Sequence, residues 1–385
     1  MKKRLNYKTL SMALTCALII VILINFYTIY SIQQVVQEKI AAAEENAKPI
    51  LLEAIVVTNS KCKDCFDAHN LLQEIEGTKG FLVKTKQEVD FTSPNAQEII
   101  AQFGLTKFPA IIITGELERA GRLKHLLQDF KGKEAGAAWV FAEPAPPYTD
   151  KKGIIYGKVD VTIIKDESCK ECIDLSPLIA QLKAVGVVLG NVKHLSVSSA
   201  EGQKLVSAYS ITKVPMLMLS HDFEEYGQLS ATWNLYGQRA KDGTFLMTSV
   251  TPPYEDLATK KVHGLVALTY LTDNSCAECY NVSVHKQILT NFGMKIIAEK
   301  NRDIATEEGK KLVEQYNVSA LPTVLLSPEA KEYRGFSQVW ESVGTIEKDG
   351  VFVFRTMSIL ESGMYKDVKS GKVQKIEQQK RVTDE

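Results

Sequence analysis

Six cysteines carry the clearest chemistry in this chain. Cys62 and Cys65 stand in "SKCKDC" (60–65), Cys169 and Cys172 in "ESCKEC" (167–172), and Cys276 and Cys279 in "NSCAEC" (274–279). A Cys-x-x-Cys pair can serve thiol–disulfide exchange, contribute to a metal site, or form a permanent disulfide. In exchange, a thiolate attacks a disulfide sulfur and a second thiol resolves the mixed disulfide. A helix N-terminus favours the attacking thiolate, because unpaired N–H groups and the helix dipole stabilise negative charge. Each pair here heads a helix-patterned stretch: "CFDAHNLLQEI", "CIDLSPLIAQLK" and "CYNVSVHKQILTNF". This arrangement assigns attack to Cys62, Cys169 and Cys276, and resolution to Cys65, Cys172 and Cys279.

The other two uses fit less well. A disulfide closing so short a loop removes little unfolded-state entropy. A tetrahedral metal site needs about four ligands, and each pair offers two. His69 and His285 follow the first and third pairs, the second has no counterpart, and His194 lies elsewhere in the sequence. No resident metal and no cofactor are expected.

The pairs are periodic. The interval from Cys62 to Cys169 equals that from Cys169 to Cys276, and at roughly 100 residues it is the length of a domain. Pro109, Pro215 and Pro322, in "LTKFPAIIIT", "ITKVPMLMLS" and "VSALPTVLLS", follow the first cysteines at an interval constant to within one position. "SSAEGQKLVSAYSI" matches "ATEEGKKLVEQYNV", and "PPYTD" matches "PPYED", with "GMYKD" as a weaker third copy. Repeats two and three are closer to each other than to the first. A domain-sized period implies a tandem array. Within each period a β-branched run leads to the cysteines. A helix, a strand, a second amphipathic helix and a proline-headed apolar strand follow. Strands alternating with helices predict an α/β fold with a central sheet flanked by helices. The Pro-Pro-Tyr segments read as linkers. Tyr148, Tyr254 and Tyr365, like Trp233 and Trp340, read as packing residues.

The three pairs after a strand, with Pro109, Pro215 and Pro322 in register, resemble the thioredoxin superfamily. The resemblance covers about residues 50–370, and the tandem organisation is similar to that of protein disulfide isomerases. It implies three thioredoxin-like domains. It also implies that the three prolines are cis, face the cysteines, and lie beside backbone that pairs with a substrate peptide. The chain departs from the family where an assisting acid often lies, six residues before the first cysteine: Val56, Ile163 and Tyr270 stand there. Asp166 and Asp273 are three residues before the cysteine, and Asn59 takes that place in the first repeat. Lys-Asp, Lys-Glu and Ala-Glu separate the cysteines. Lysine lowers a neighbouring thiol's pKa and an acid raises it, so the third pair is expected to be the least thiolate-prone.

The N-terminus sets the compartment. Residues 9–32, "TLSMALTCALIIVILINFYTIYSI", carry no charge and are long enough to cross a bilayer core of about 30 Å. Lys2, Lys3, Arg4 and Lys8 precede them, and Glu38 is the first acid. The positive-inside rule keeps residues 1–8 cytoplasmic and exports the chain beyond the apolar run. A cleaved signal peptide is the alternative, although the run exceeds the usual apolar core of one. The expected organisation is a transmembrane helix at 9–32 and a helical stalk at 33–48. Thioredoxin-like domains would occupy 49–150, 151–256 and 257–372, with a polar tail at 373–385. With 46 basic and 46 acidic residues there is no basic surplus for nucleic acid. The reading is a cell-membrane, single-pass thiol–disulfide oxidoreductase or isomerase. Its partners would be exported client proteins and a redox partner. A non-catalytic scaffold or chaperone gripping extended peptides, and soft-metal handling by the thiols, stay open as alternatives.

Overall fold

A computed structural model describes residues 7–78, 80–119, 128, 131–360 and 362–377. The expected N-terminal basic segment lies largely outside the described residues, as does the end of the expected tail, 378–385. One helix, Tyr7–Ala47, runs through the apolar segment and the stalk without a break. Its 24-residue stretch Leu18–Ala41 is long and apolar enough to cross a membrane. Three polar side chains in that stretch bond back to the helix backbone. Asn25 Nδ2 donates to the Val21 carbonyl, Thr28 Oγ1 to Asn25 and Ser31 Oγ to Thr28. Such bonds satisfy groups that an apolar medium would leave unpaired.

Beyond this helix the chain repeats one mixed α/β plan three times. The first copy contains β1 (Ile50–Thr58), β2 (Phe81–Asp90), β3 (Lys107–Phe108), β4 (Ala110–Gly115), β5 (Lys133–Ala135), β6 (Ala138–Phe141), β7 (Tyr148–Asp150) and β8 (Ile155–Tyr156). The second contains β9 (Val159–Lys165), β10 (Leu189–Ser196), β11 (Lys213–Val214), β12 (Met216–Leu219), β13 (Gln238–Arg239), β14 (Phe245–Leu246), β15 (Tyr254–Asp256) and β16 (Lys261–His263). The third contains β17 (Leu265–Thr272), β18 (Lys295–Asp303), β19 (Ala320–Leu321), β20 (Thr323–Leu326), β21 (Gly344–Ile346), β22 (Phe352–Phe354), β23 (Met364–Asp367) and β24 (Val373–Lys375). The five-stranded sheets are ordered β2-β1-β4-β6-β5, β10-β9-β12-β14-β13 and β18-β17-β20-β22-β21. β1, β9 and β17 are parallel to β2, β10 and β18 and antiparallel to β4, β12 and β20. This is consistent with thioredoxin-like domains. The chain divides into two compact units, Met1–Tyr156 and Gly157–Glu385, so the second and third copies share a unit.

Strand alternation builds a core on each face of the sheet. In the first copy Leu52, Ala54 and Val56 pack with Ile111, Ile113 and Trp139 beneath helix Ala68–Gly77. Val57, Ala110, Ile112 and Val140 pack with Ala96 and Ile100 of helix Pro94–Phe103 on the other face. Val56, Ile163 and Tyr270, the positions six before the cysteines, are therefore core residues. Trp233 and Trp340 are buried packing residues whose indole N–H groups donate to the carbonyls of Leu246 and Thr345.

The structure differs from the local reading at three places. The Pro-Pro-Tyr segments are not linkers. Tyr148 and Tyr254 begin β7 and β15, and three small sheets form, ordered β3-β7-β8, β11-β15-β16 and β19-β23-β24. The boundaries expected at 150/151 and 256/257 fall inside hairpins, because β7 pairs with β8 and β15 with β16. Val373–Lys375, expected in the tail, pairs with β23, and Ile376 is buried in the third copy's core.

Candidate functional site

Each cysteine pair sits in a turn just past the end of β1, β9 or β17. The turn has a common construction. The side chains of Asn59, Asp166 and Asp273 accept the N–H two residues on, from Lys61, Ser168 and Ser275. The carbonyls of the same residues accept the N–H of Cys62, Cys169 and Cys276. An Asx side chain bonding the backbone two residues on favours such a turn. These residues therefore place the first cysteine. Asp166 is held below its usual pKa by side-chain and backbone bonds from Ser168 and by Lys260. Burial works to raise Asp273, but bonds from Lys366 and Ser275 outweigh it, and the net shift is downward. Lys366 Nζ lies 2.6 Å from Asp273 Oδ2 and 3.0 Å from Ser275 Oγ. The third site thus gains a lysine that the residues between its cysteines do not supply.

The pairs do not open helices. The helices begin at Ala68, Ser176 and Val284, three, four and five residues after the second cysteine. A second set of Asx residues precedes the helices, and of these Asp67 is itself the N-cap. Asp67, Asp174 and Asn281 accept the N–H two residues on, from His69, Ser176 and Ser283. The intervening chain is held elsewhere: the N–H groups of Phe66, Ile173 and Tyr280 donate to the carbonyls of Pro147, Pro253 and Met364. A helix dipole acts within about its first turn, so its support for the thiolates is weaker than the sequence suggests.

All three pairs are disulfide-bonded, with Cα atoms 5.4, 5.5 and 5.4 Å apart. All six cysteines are partly exposed, so exposure does not separate an attacking from a resolving cysteine. The Phe108–Pro109, Val214–Pro215 and Leu321–Pro322 bonds are cis, as are Pro146–Pro147 and Pro252–Pro253. Pro109, Pro215 and Pro322 are buried. Pro109 lines one cleft with Cys62 and Cys65, and Pro215 another with Cys169 and Cys172. Cys172 Sγ lies 3.9 Å from the Val214 carbonyl oxygen, and Cys279 Sγ 3.8 Å from that of Leu321. In the second and third copies the second cysteine thus faces the peptide group that precedes the proline.

Sequence reasoning misses two groups in these clefts. Glu88 joins the first pair's cleft and His194 the second's. His194, set apart by sequence, is brought in by strand register. Glu88, His194 and Asn301 lie opposite Val56, Ile163 and Tyr270 on the parallel neighbour strands. They recur at the cysteine interval to within one position, which is a usable signal. Tyr270 carries no acid function near neutral pH. Burial, with its hydroxyl donating to Glu299 at 2.9 Å, pushes its pKa up to about 12. His285 is buried, with Nε2 3.1 Å from the Tyr280 hydroxyl, which donates to the Pro322 carbonyl at 2.8 Å. Beside the second pair, Glu171 is ion-paired with Lys295 at 3.1 Å.

No family model matches the sequence, and no curated protein matches it. Among solved structures the chain is similar to ERdj5, at 11% identity over 74% of this chain and 39% of that one, with a TM-score of 0.14. It is also similar to the N-terminal domain of alkylhydroperoxide reductase AhpF from Enterococcus faecalis, at 11% identity over 45% of this chain and 83% of that one, TM-score 0.15. Human ERp44 matches at 9% identity over 74% of this chain and 80% of that one, TM-score 0.15. The chain spans about two fifths of the ERdj5 chain it matches. At these scores the likeness carries no conclusion about activity, and the functional reading rests on the sites themselves.

Proposed function

We propose that the chain is a membrane-anchored thiol–disulfide oxidoreductase or isomerase of three thioredoxin-like domains, acting on disulfides of exported proteins. The observation that carries this reading is the repeated site: a partly exposed Cys-x-x-Cys disulfide in a turn, paired with a buried cis proline, with the second sulfur against the carbonyl before that proline in the second and third copies. In the reducing direction the Cys62, Cys169 or Cys276 thiolate attacks a client disulfide. A mixed disulfide forms and one client thiolate leaves. Cys65, Cys172 or Cys279 then attacks the mixed disulfide, closing the pair and releasing the second client thiolate. Two electrons pass to the client, and a separate dithiol partner must reopen the pair. Oxidation runs the same steps backward, with the client thiolate attacking the closed pair.

Pro109, Pro215 and Pro322 would flank the bound client backbone. The apolar N-terminal helix supports anchoring, and the basic cluster before it supports export of the repeats. The purified, reduced full chain should reduce a model disulfide peptide. Changing Cys62, Cys169 and Cys276 together to Ser should lower that rate at least about 100-fold, since the thiolate is the nucleophile. An unchanged rate would sink the assignment of attack to these cysteines, and no reduction by the unmodified chain would favour the scaffold reading.

A further inference from the structure

His263 ends β16, the outer strand of the second copy's small sheet, and its ring stacks on Tyr254 with centroids 5.6 Å apart. Its Nδ1 atom is buried and makes no hydrogen bond, the one such side-chain atom among the described residues. Burying an unpaired polar atom is unfavourable, so the position calls for a partner. Two carboxylates of the third copy face it from the short turn Pro328–Glu332. Glu329 Oε2 is 3.5 Å from Nδ1, and ligand atoms of His263, Glu329 and Glu332 all lie within 4.8 Å of one another. The carboxylates are already oriented. Glu329 Oε2 accepts the Gly264 N–H at 2.7 Å, and Glu332 Oε2 accepts the Tyr254 hydroxyl at 2.6 Å. Tyr254 in turn accepts from Lys213 Nζ at 2.9 Å. Hydrogen bonds of this kind fix metal-binding carboxylates in place.

We propose that His263, Glu329 and Glu332 bind one divalent transition-metal ion of the zinc class, clamping the second copy's small sheet to the third copy. One imidazole and two carboxylates form a borderline N/O donor set, suited to zinc and its first-row neighbours, with water completing the coordination. The site is particular to this junction. One period earlier the sequence has Tyr156, Asp222 and Glu225, which lacks the imidazole. There the Gly157 N–H donates to Asp222 Oδ1 at 3.1 Å, so the glycine-to-acid bond has a structural use of its own. That bond explains Glu329 alone; it does not explain a histidine aimed at two acids.

The test uses the full chain with its three disulfides closed, so that the paired cysteines offer no thiolates. Zinc chloride is titrated against a chromophoric chelator near pH 7. One zinc ion per chain is expected. His263→Tyr, which restores the residue type of position 156, should weaken binding about 100-fold or more, as should Glu332→Gln. Should His263→Tyr misfold by circular dichroism, His263→Gln serves in its place. Cobalt(II) should give ligand-field bands without a thiolate charge-transfer band. No stoichiometric zinc, undiminished affinity in the folded His263 variant, or a thiolate band would each overturn the site.

Discussion

Asp273 and Lys366 show how closely charge is managed around the third cysteine pair. The carboxylate side chain is 7% exposed and its lysine partner 22%. Lys366→Met would remove the ion partner of a nearly buried carboxylate three residues before Cys276, leaving it only the bonds from Ser275. The expected cost is about 3 kcal/mol in chemical denaturation, with a raised Cys276 thiol pKa in alkylation-rate profiles. Adding Asp273→Asn, the residue type that Asn59 supplies in the first copy, should recover most of both losses. His285 gives a second residue-scale prediction. Burial lowers its pKa from 6.5 to about 4. The unfolded chain therefore takes up a proton first as pH falls. Stability is undiminished above about 6.5 and declines through the window down to about 4, by about 3 kcal/mol in all. His285→Leu, matching Leu178 and Leu71 one and two periods earlier, should remove that acid sensitivity from denaturant midpoints measured between pH 7 and 4.

At the scale of elements, much is legible in the sequence and the misses have physical causes. The strand before each cysteine pair is marked by apolar runs such as "LEAIVVT", and the second helix by its amphipathic pattern. Ser199 and Thr306 cap that helix by accepting the N–H of Gly202 and Gly309. A Cβ on Gly309 would stand 2.0 Å from the Asp303 carbonyl oxygen, and one on Gly202 equally close to that of Ser196. Ala96 holds the same place in the first copy, which is one reason repeats two and three read as closer. Gly309→Ala should cost about 1–3 kcal/mol in denaturant unfolding, because backbone must move. The helix after the cysteines starts later than its apolar pattern implies. Asp67, Asp174 and Asn281 recur at the cysteine interval and are strong helix-capping types, but an apolar period running back to the cysteine hides them. The Pro-Pro-Tyr strands escape notice because proline marks breaks locally. They pair with β3 and β11, which lie far back in the sequence, beyond the reach of local pattern.

At the scale of the molecule, three equivalent cysteine turns on one repeated scaffold, behind a single apolar helix, make the central claim one of multiplicity. Each pair is expected to exchange with client disulfides, since a disulfide closing so short a loop does little for stability. His194 in the second cleft and Glu88 in the first give the sites different electrostatics on a common backbone. The three are therefore expected to differ in reactivity. Local sequence does not supply those neighbours, since strand register brings them in. The most direct measurement is mixed-disulfide trapping with the full chain carrying Cys65→Ala, Cys172→Ala and Cys279→Ala, in cells, after acid quench and alkylation. The account predicts reducible adducts with exported proteins, which disappear when Cys62, Cys169 and Cys276 are also changed to Ser. Absence of adducts from the folded protein, or adducts that survive loss of the three attacking cysteines, would contradict it.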